Sequence, residues 1–159
     1  MRFYPKTGLF FMVLLLLGTR AYGDKINIPP CAFHPASDLD SRYLMNDAEY
    51  ITGSSALYAP VCLPDGAIIK NMKAMVVDAS LGWLDIVLYR VNMYTKAQEM
   101  IFWVGTHYSP DSSDIRPLIA SSVSPPSLRL VNNGACQYYI WYFSGGSNLR
   151  LHGITIEYK

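Results

Sequence analysis

The chain holds few of the groups on which small enzymes build chemistry. Its three histidines, His34, His107 and His152, lie far apart, and none stands at metal-ligand spacing or in an HExxH pattern. No GxSxG elbow, P-loop or GxGxxG turn occurs. A surplus of one charge is also missing, since 13 Lys and Arg stand against 12 Asp and Glu. The basic residues, such as Lys70, Lys73, Arg90 and Arg129, never form a run, so neither nucleic acid nor an anionic membrane surface is an expected partner. Internal repeats and low-complexity segments are absent too.

Long apolar runs are lacking as well. The stretch Leu9–Leu17 is far shorter than the roughly 20 residues that span a hydrocarbon core. Preceded by Arg2 and Lys6 and followed by small residues Ala21 and Gly23, it reads instead as a signal peptide over Met1–Gly23. Cleavage there predicts a single domain over residues 24–159, secreted to the periplasm or outside the cell, with no membrane span. Arg2, Lys6 and Arg20 leave with the leader, so the mature charge is about −2.

Cysteine is scarce. Cys31, Cys62 and Cys136 in an oxidising compartment allow one disulfide and leave one thiol over. The pair Cys62–Cys136 is favoured, because each lies in or beside a predicted strand whereas Cys31 is near the new terminus. Strand phase argues against it: if Val61 and Leu63 face inward, Cys62 faces outward, while Cys136 shares the inner phase with Tyr138 and Ile140. The odd cysteine could instead join two copies of the chain, or all three could be plain buried residues.

What the chain has in quantity is sheet-forming sequence. From Tyr58 to Arg90, apolar runs of period two are divided by Pro64-Asp65-Gly66 and Ala79-Ser80-Leu81-Gly82 turn signals. Leu57, Ala59, Val61 and Leu63 share one face. Residues 67–78 could place Ile68, Ile69, Met72, Met75 and Val76 on a helix. The strand reading is preferred, with a change of phase near Asn71 that turns Ile69, Met72, Ala74 and Val76 inward. In 84–91, Leu84, Ile86 and Leu88 oppose Val87, Tyr89 and Val91, so this strand should be central or covered on both faces.

Residues 99–107, EMIFWVGTH, repeat that two-sided character. Residues 24–35 contain Pro29, Pro30 and Pro35 and suit only short edge strands. Residues 36–53 read as loop with one short strand, and 109–113 and 121–127 as loops. Leu128–Val131 is expected as a short strand before a hairpin turn at Asn132-Asn133-Gly134. ACQYYIWYF, 135–143, is strongly β-prone, and in 149–158 a bulge at Gly153 reconciles two phases. The fold class predicted is all-β, a two-layer antiparallel sandwich, jelly-roll-like, of about eight to ten strands.

The segments YAPVCLPDGA (58–67), LYR (88–90) and LRLHGITIEY (149–158) resemble those of a group of secreted bacterial single-domain β-sandwich proteins of uncharacterised role. The resemblance implies export and a compact sandwich, and carries over no catalytic residue.

Function is bounded rather than identified. With Cys136, Tyr138, Ile140 and Tyr142 inward, Tyr139, Trp141 and Phe143 form an outward aromatic row, suited to stacking on sugar or burial against another surface, unless the chain's own loops cover it. Asp38, Asp40, Asn46, Asp47 and Glu49 could offer oxygens to calcium, though a solvated acidic loop explains them better. The leading expectation is a non-catalytic secreted module with a structural or interaction role and no cofactor, its partner a second copy, an extracellular glycan or a protein. A carbohydrate-binding module using the outward aromatics is the alternative. A small hydrolase with its acids on loops is the second alternative.

Overall fold

Alternation of burial along single strands dictates the architecture. In a strand, successive side chains point to opposite faces, and 136–144 follows that rule throughout. Cys136, Tyr138, Ile140, Tyr142 and Ser144 are buried, and the residues between them are half-buried or exposed. Such a segment must cover one face with a second layer.

The computed structural model describes residues 24–36, 44–46, 49–52, 56–107, 110–122, 125–146 and 148–159. The predicted leader and the acidic positions Asp38, Asp40 and Asp47 lie outside these residues. The described strands are β1 (Asp24–Ile28), β2 (His34–Pro35), β3 (Leu44–Asn46), β4 (Tyr50–Thr52), β5 (Ala56–Val61), β6 (Ile69–Asp78), β7 (Leu84–Asn92), β8 (Gln98–Gly105), β9 (Ser112–Ile119), β10 (Ser121–Ser122), β11 (Cys136–Ser144) and β12 (Leu149–Tyr158). One six-stranded sheet runs β3-β4-β12-β6-β9, with β1 also on β12; the other runs β10-β8-β7-β11-β5-β2. Every pairing among these strands is antiparallel. The predicted two-layer sandwich is therefore the fold, and no α-helix occurs among the described residues. Eight of the described strands are five to ten residues long, within the expected eight to ten, and β2, β3, β4 and β10 are short pieces of two or three residues.

Between the sheets, Met72, Ala74 and Val76 of β6 and Leu151, Ile154 and Ile156 of β12 join Leu57 and Ala59 of β5, Ile86 and Leu88 of β7 and Ile140 and Tyr142 of β11 in one core. Burying each of the larger side chains stabilises the fold by about 1.5–3 kcal/mol. Residues 69–78 are strand rather than helix. The change of phase is observed: Ile69 and Asn71 pair with the consecutive residues Tyr158 and Glu157, so Lys70 is the extra residue of a bulge. A second shift lies between Leu151 and Gly153, where Gly153 adopts φ +149°, a conformation that side chains disfavour. The two phases of the last strand meet there as the sequence predicts.

Three expectations are corrected. The Asn132-Asn133-Gly134 turn exists, but it closes no hairpin. Pro126–Arg129 is a 3-10 turn, Leu130 forms an isolated bridge with Ile68, and β11 pairs instead with β5 and β7. The turn's donors go to the earlier Pro64–Gly66 corner: Asn133 N–H to Asp65 Oδ1 at 2.8 Å and Asn133 Nδ2 to the Leu63 carbonyl at 2.8 Å. Residues 36–53 supply two short strands rather than one. Part of the expected 109–113 loop, Ser112 and Ser113, opens β9, an edge strand whose Pro117 and charged residues hide its periodicity.

Candidate functional site

Each sheet has a second, outward face, and the two differ in chemistry. On the β12–β6 sheet the outward neighbours are largely polar. Asn27, Thr155 and Lys73 form one cross-strand row and Lys25, Glu157 and Asn71 another. On the β7–β11 sheet they are aromatic.

Residues directly opposed in an antiparallel pair share a face, so the register assembles the outer rows. One row crosses five strands as Trp103 (β8), Val87 (β7), Trp141 (β11), Tyr58 (β5) and His34 (β2). The next row is Met100, Tyr89, Tyr139 and Pro60, and on the other side lie Gly105, Asp85 and Phe143. Val87 is only 5% exposed although it points outward, as expected between two indoles. Trp103 and Trp141, two strand spacings apart, stand about 10 Å from each other along the row. Tyr58 and Phe143 are among the exposed large apolar side chains.

The rings also contact one another. Tyr89 and Tyr139 stack with centroids 5.5 Å apart, and Tyr58 lies 6.1 Å from His34. Burial raises the Tyr139 phenol above its ordinary range, and neighbouring Tyr89 adds to the shift. At one end of the face, Trp83 stacks on His107 at 4.6 Å and tilts against Phe143 at 5.1 Å. At the other end, an open depression of about 600 Å³ is bordered by Tyr58, Pro60, Cys62, Met93, Gln137 and Tyr139. The Asp85 carboxylate on this surface faces His107 Nε2 at 3.1 Å, whereas the Arg90–Glu99 pair, Nε to Oε2 at 2.6 Å, lies in the inward phase of Tyr138.

Of the residues that strand phase sends outward on β11, Tyr139 and Trp141 are half-buried and Phe143 is exposed on this outer face. Trp83, Trp103, Tyr58 and Tyr89 join them from other segments, a gathering that the phase of one strand does not disclose. A signal existed for Tyr89, in the outward phase of β7. For Trp103 it was obscured, because a bulge at Ile101 buries Ile101 and Phe102 in succession and resets the alternation.

The expected disulfide is not formed; all three cysteines are free. Val61 pairs with Tyr138, so continuing that register sets Cys62 opposite Gln137 on the outer face, whereas Cys136 is buried on the inner one. Neighbouring residues whose Cβ vectors point to opposite faces cannot be bridged without moving the backbone. The histidines separate as well: His34 and His107 border the aromatic face, and His152 lies on the other sheet beside Tyr50, its imidazole pKa lowered by burial. Among the described residues no group of three His, Cys, Asp or Glu is disposed to hold a metal ion.

No protein-family model matches the chain, and no curated protein is similar to it in sequence. Similarity is found among solved structures. A xylan-binding module, CBM15, superposes with a TM-score of 0.53 at 10% identity, covering 85% of this chain and 96% of that one. The N-terminal CBM22-1 and GH10 modules of an endo-1,4-β-D-xylanase from Clostridium thermocellum, solved with xylohexaose, give 0.55 at 10% identity, covering 86% of this chain and 28% of that longer one. At such identity the likeness is one of fold: the chain is a β-sandwich of the kind seen in carbohydrate-binding modules.

Proposed function

We propose that the protein is an exported, non-catalytic module that binds a neutral polysaccharide on the outer face of the β7–β11 sheet. One observation carries this reading: Trp103, Val87, Trp141 and Tyr58 form a continuous row across four adjacent strands, with three aromatic rings, on the opposite side of the sheet from the core. Pyranose rings present flat C–H faces that bury against aromatic rings, while their hydroxyls remain in water. A row of rings across a sheet thus suits a polymer better than a single sugar. Neither this row nor the neighbouring one of Met100, Tyr89, Tyr139 and Pro60 carries Lys, Arg, Asp or Glu, which suits an uncharged ligand. The fold shared with a xylan-binding module makes xylan the first ligand to try, and an export leader at Met1–Gly23 would deliver the module to extracellular glycans.

The test is a glycan array followed by calorimetry with xylohexaose, using the protein expressed from residue 24. Binding to one class of neutral glycan, lost in Trp141→Ala while the fold persists, supports the reading; an array blank for the wild-type protein overturns it. Exposure of Tyr58 and Phe143 also suits a second copy as partner. A dimer in solution that Trp141→Ala dissociates would favour self-association instead.

A further inference from the structure

An indole is useful for stacking only if its face is held toward the ligand, and at one end of the aromatic surface a single carboxylate holds two rings. Asp85 Oδ1 accepts the Trp103 Nε1 proton at 3.0 Å, and Asp85 Oδ2 lies 3.1 Å from His107 Nε2. His107 in turn stacks on Trp83 at 4.6 Å. Directly across from Asp85 stands Gly105. A Cβ at that position would collide with Asp85 Oδ1 and approach Trp103 Cζ2 to 3.0 Å, so carboxylate and indole both occupy the space that a side chain would fill. Trp83 repeats the device. It lies over Gly145, where a Cβ would come within 3.2 Å of the indole.

We propose that Asp85 is the positioning residue of this surface, holding Trp103 flat over Gly105 and His107 against Trp83. This rests on the glycan-binding reading for its purpose, but the bracket itself stands on the contacts above. Each Asp85 oxygen is engaged by one ring. Its role is to remove the freedom with which Trp103 would otherwise swing away from the sheet. Ordering before binding raises affinity by lowering the entropy lost in the complex.

The experiment follows the indole N–H resonance of Trp103, assigned by Trp103→Phe, together with xylohexaose affinity. In wild-type protein the Trp103 proton should exchange slowly. In Asp85→Ala and in Gly105→Ala it should exchange at the rate of a free indole, with affinity about tenfold weaker, the scale of one charge-assisted hydrogen bond. Asp85→Asn keeps an acceptor oxygen and should restore both protection and affinity. Unchanged exchange in Asp85→Ala overturns the bracket, and lost protection with undiminished affinity overturns its role in binding. Should the wild-type protein bind no glycan, the functional reading falls, and the exchange rates alone decide the bracket.

Discussion

Tyr89 and Tyr139 face each other across neighbouring strands with their rings stacked at 5.5 Å and 26° between planes. Both are half-buried on a surface where nothing in the core requires an aromatic. Offset-stacked pairs contribute about 0.5–1.5 kcal/mol beyond the area they bury. A double-mutant cycle of Tyr89→Leu and Tyr139→Leu, read by urea denaturation, should return a coupling energy in that range. Additive losses would mean the two rings do not support each other.

Thiol chemistry offers a check on strand phase. Cys31 and Cys62 are exposed and Cys136 is buried, so two thiols should label rapidly in the native protein and the third only on unfolding. Mass spectrometry after timed alkylation reads the number directly. Recovery of a Cys62–Cys136 cross-link would contradict the placement of these residues on opposite faces.

At high pH the buried phenol of Tyr142 should govern stability. Burial pushes its pKa up to about 12, against an unperturbed value near 10. Below pH 10 both folded and unfolded states keep the proton, and stability is fully present. Between about pH 10 and 12 only the unfolded state ionises, so stability falls, by a total on the order of 2–3 kcal/mol. Tyr142→Phe should flatten that part of the curve when unfolding free energy is measured against pH, and a slope identical to wild type would locate the effect elsewhere.

Gly153 sets the bulge of the last strand with φ at +149°. Gly153→Val should cost about 1–3 kcal/mol through backbone strain. Crowding adds little, because the nearest neighbour, the Ile28 carbonyl oxygen, would lie 3.4 Å from a Cβ at this position. A midpoint unchanged in thermal unfolding would show that the strand can shift register to relieve the strain.

Deletion in the core provides a scale for these effects. Ile140 is fully buried in the middle of β11, and Ile140→Ala should cost about 2–5 kcal/mol in denaturant unfolding. A loss below about 1 kcal/mol would mean that the sheets close over the cavity.

Much of the sandwich was legible because the burial of a strand is written into its alternation. The inward sets Leu57-Ala59-Val61, Leu84-Ile86-Leu88 and Tyr138-Ile140-Tyr142 follow from period two alone, and so does the outward phase of Tyr139, Trp141 and Phe143. The bulges near Asn71 and at Gly153 could be anticipated because a phase slip in an apolar pattern needs an extra residue. Less legible was Asn132-Asn133-Gly134. Its local chemistry names a turn, but the acceptor of the Asn133 backbone N–H, Asp65, lies 68 residues away.

Local pattern is enough to make this chain two sheets and to choose which side chains of each long strand face the core, since both follow from periodicity and the need to bury apolar surface. Which strands become neighbours is settled only when the chain has folded. That pairing gathers Trp103, Val87, Trp141 and Tyr58 into one row from four separate segments, and sets Asp85 opposite Gly105 beneath two rings. Strand order is a property of long-range hydrogen bonding, for which the alternation of any single strand carries no address.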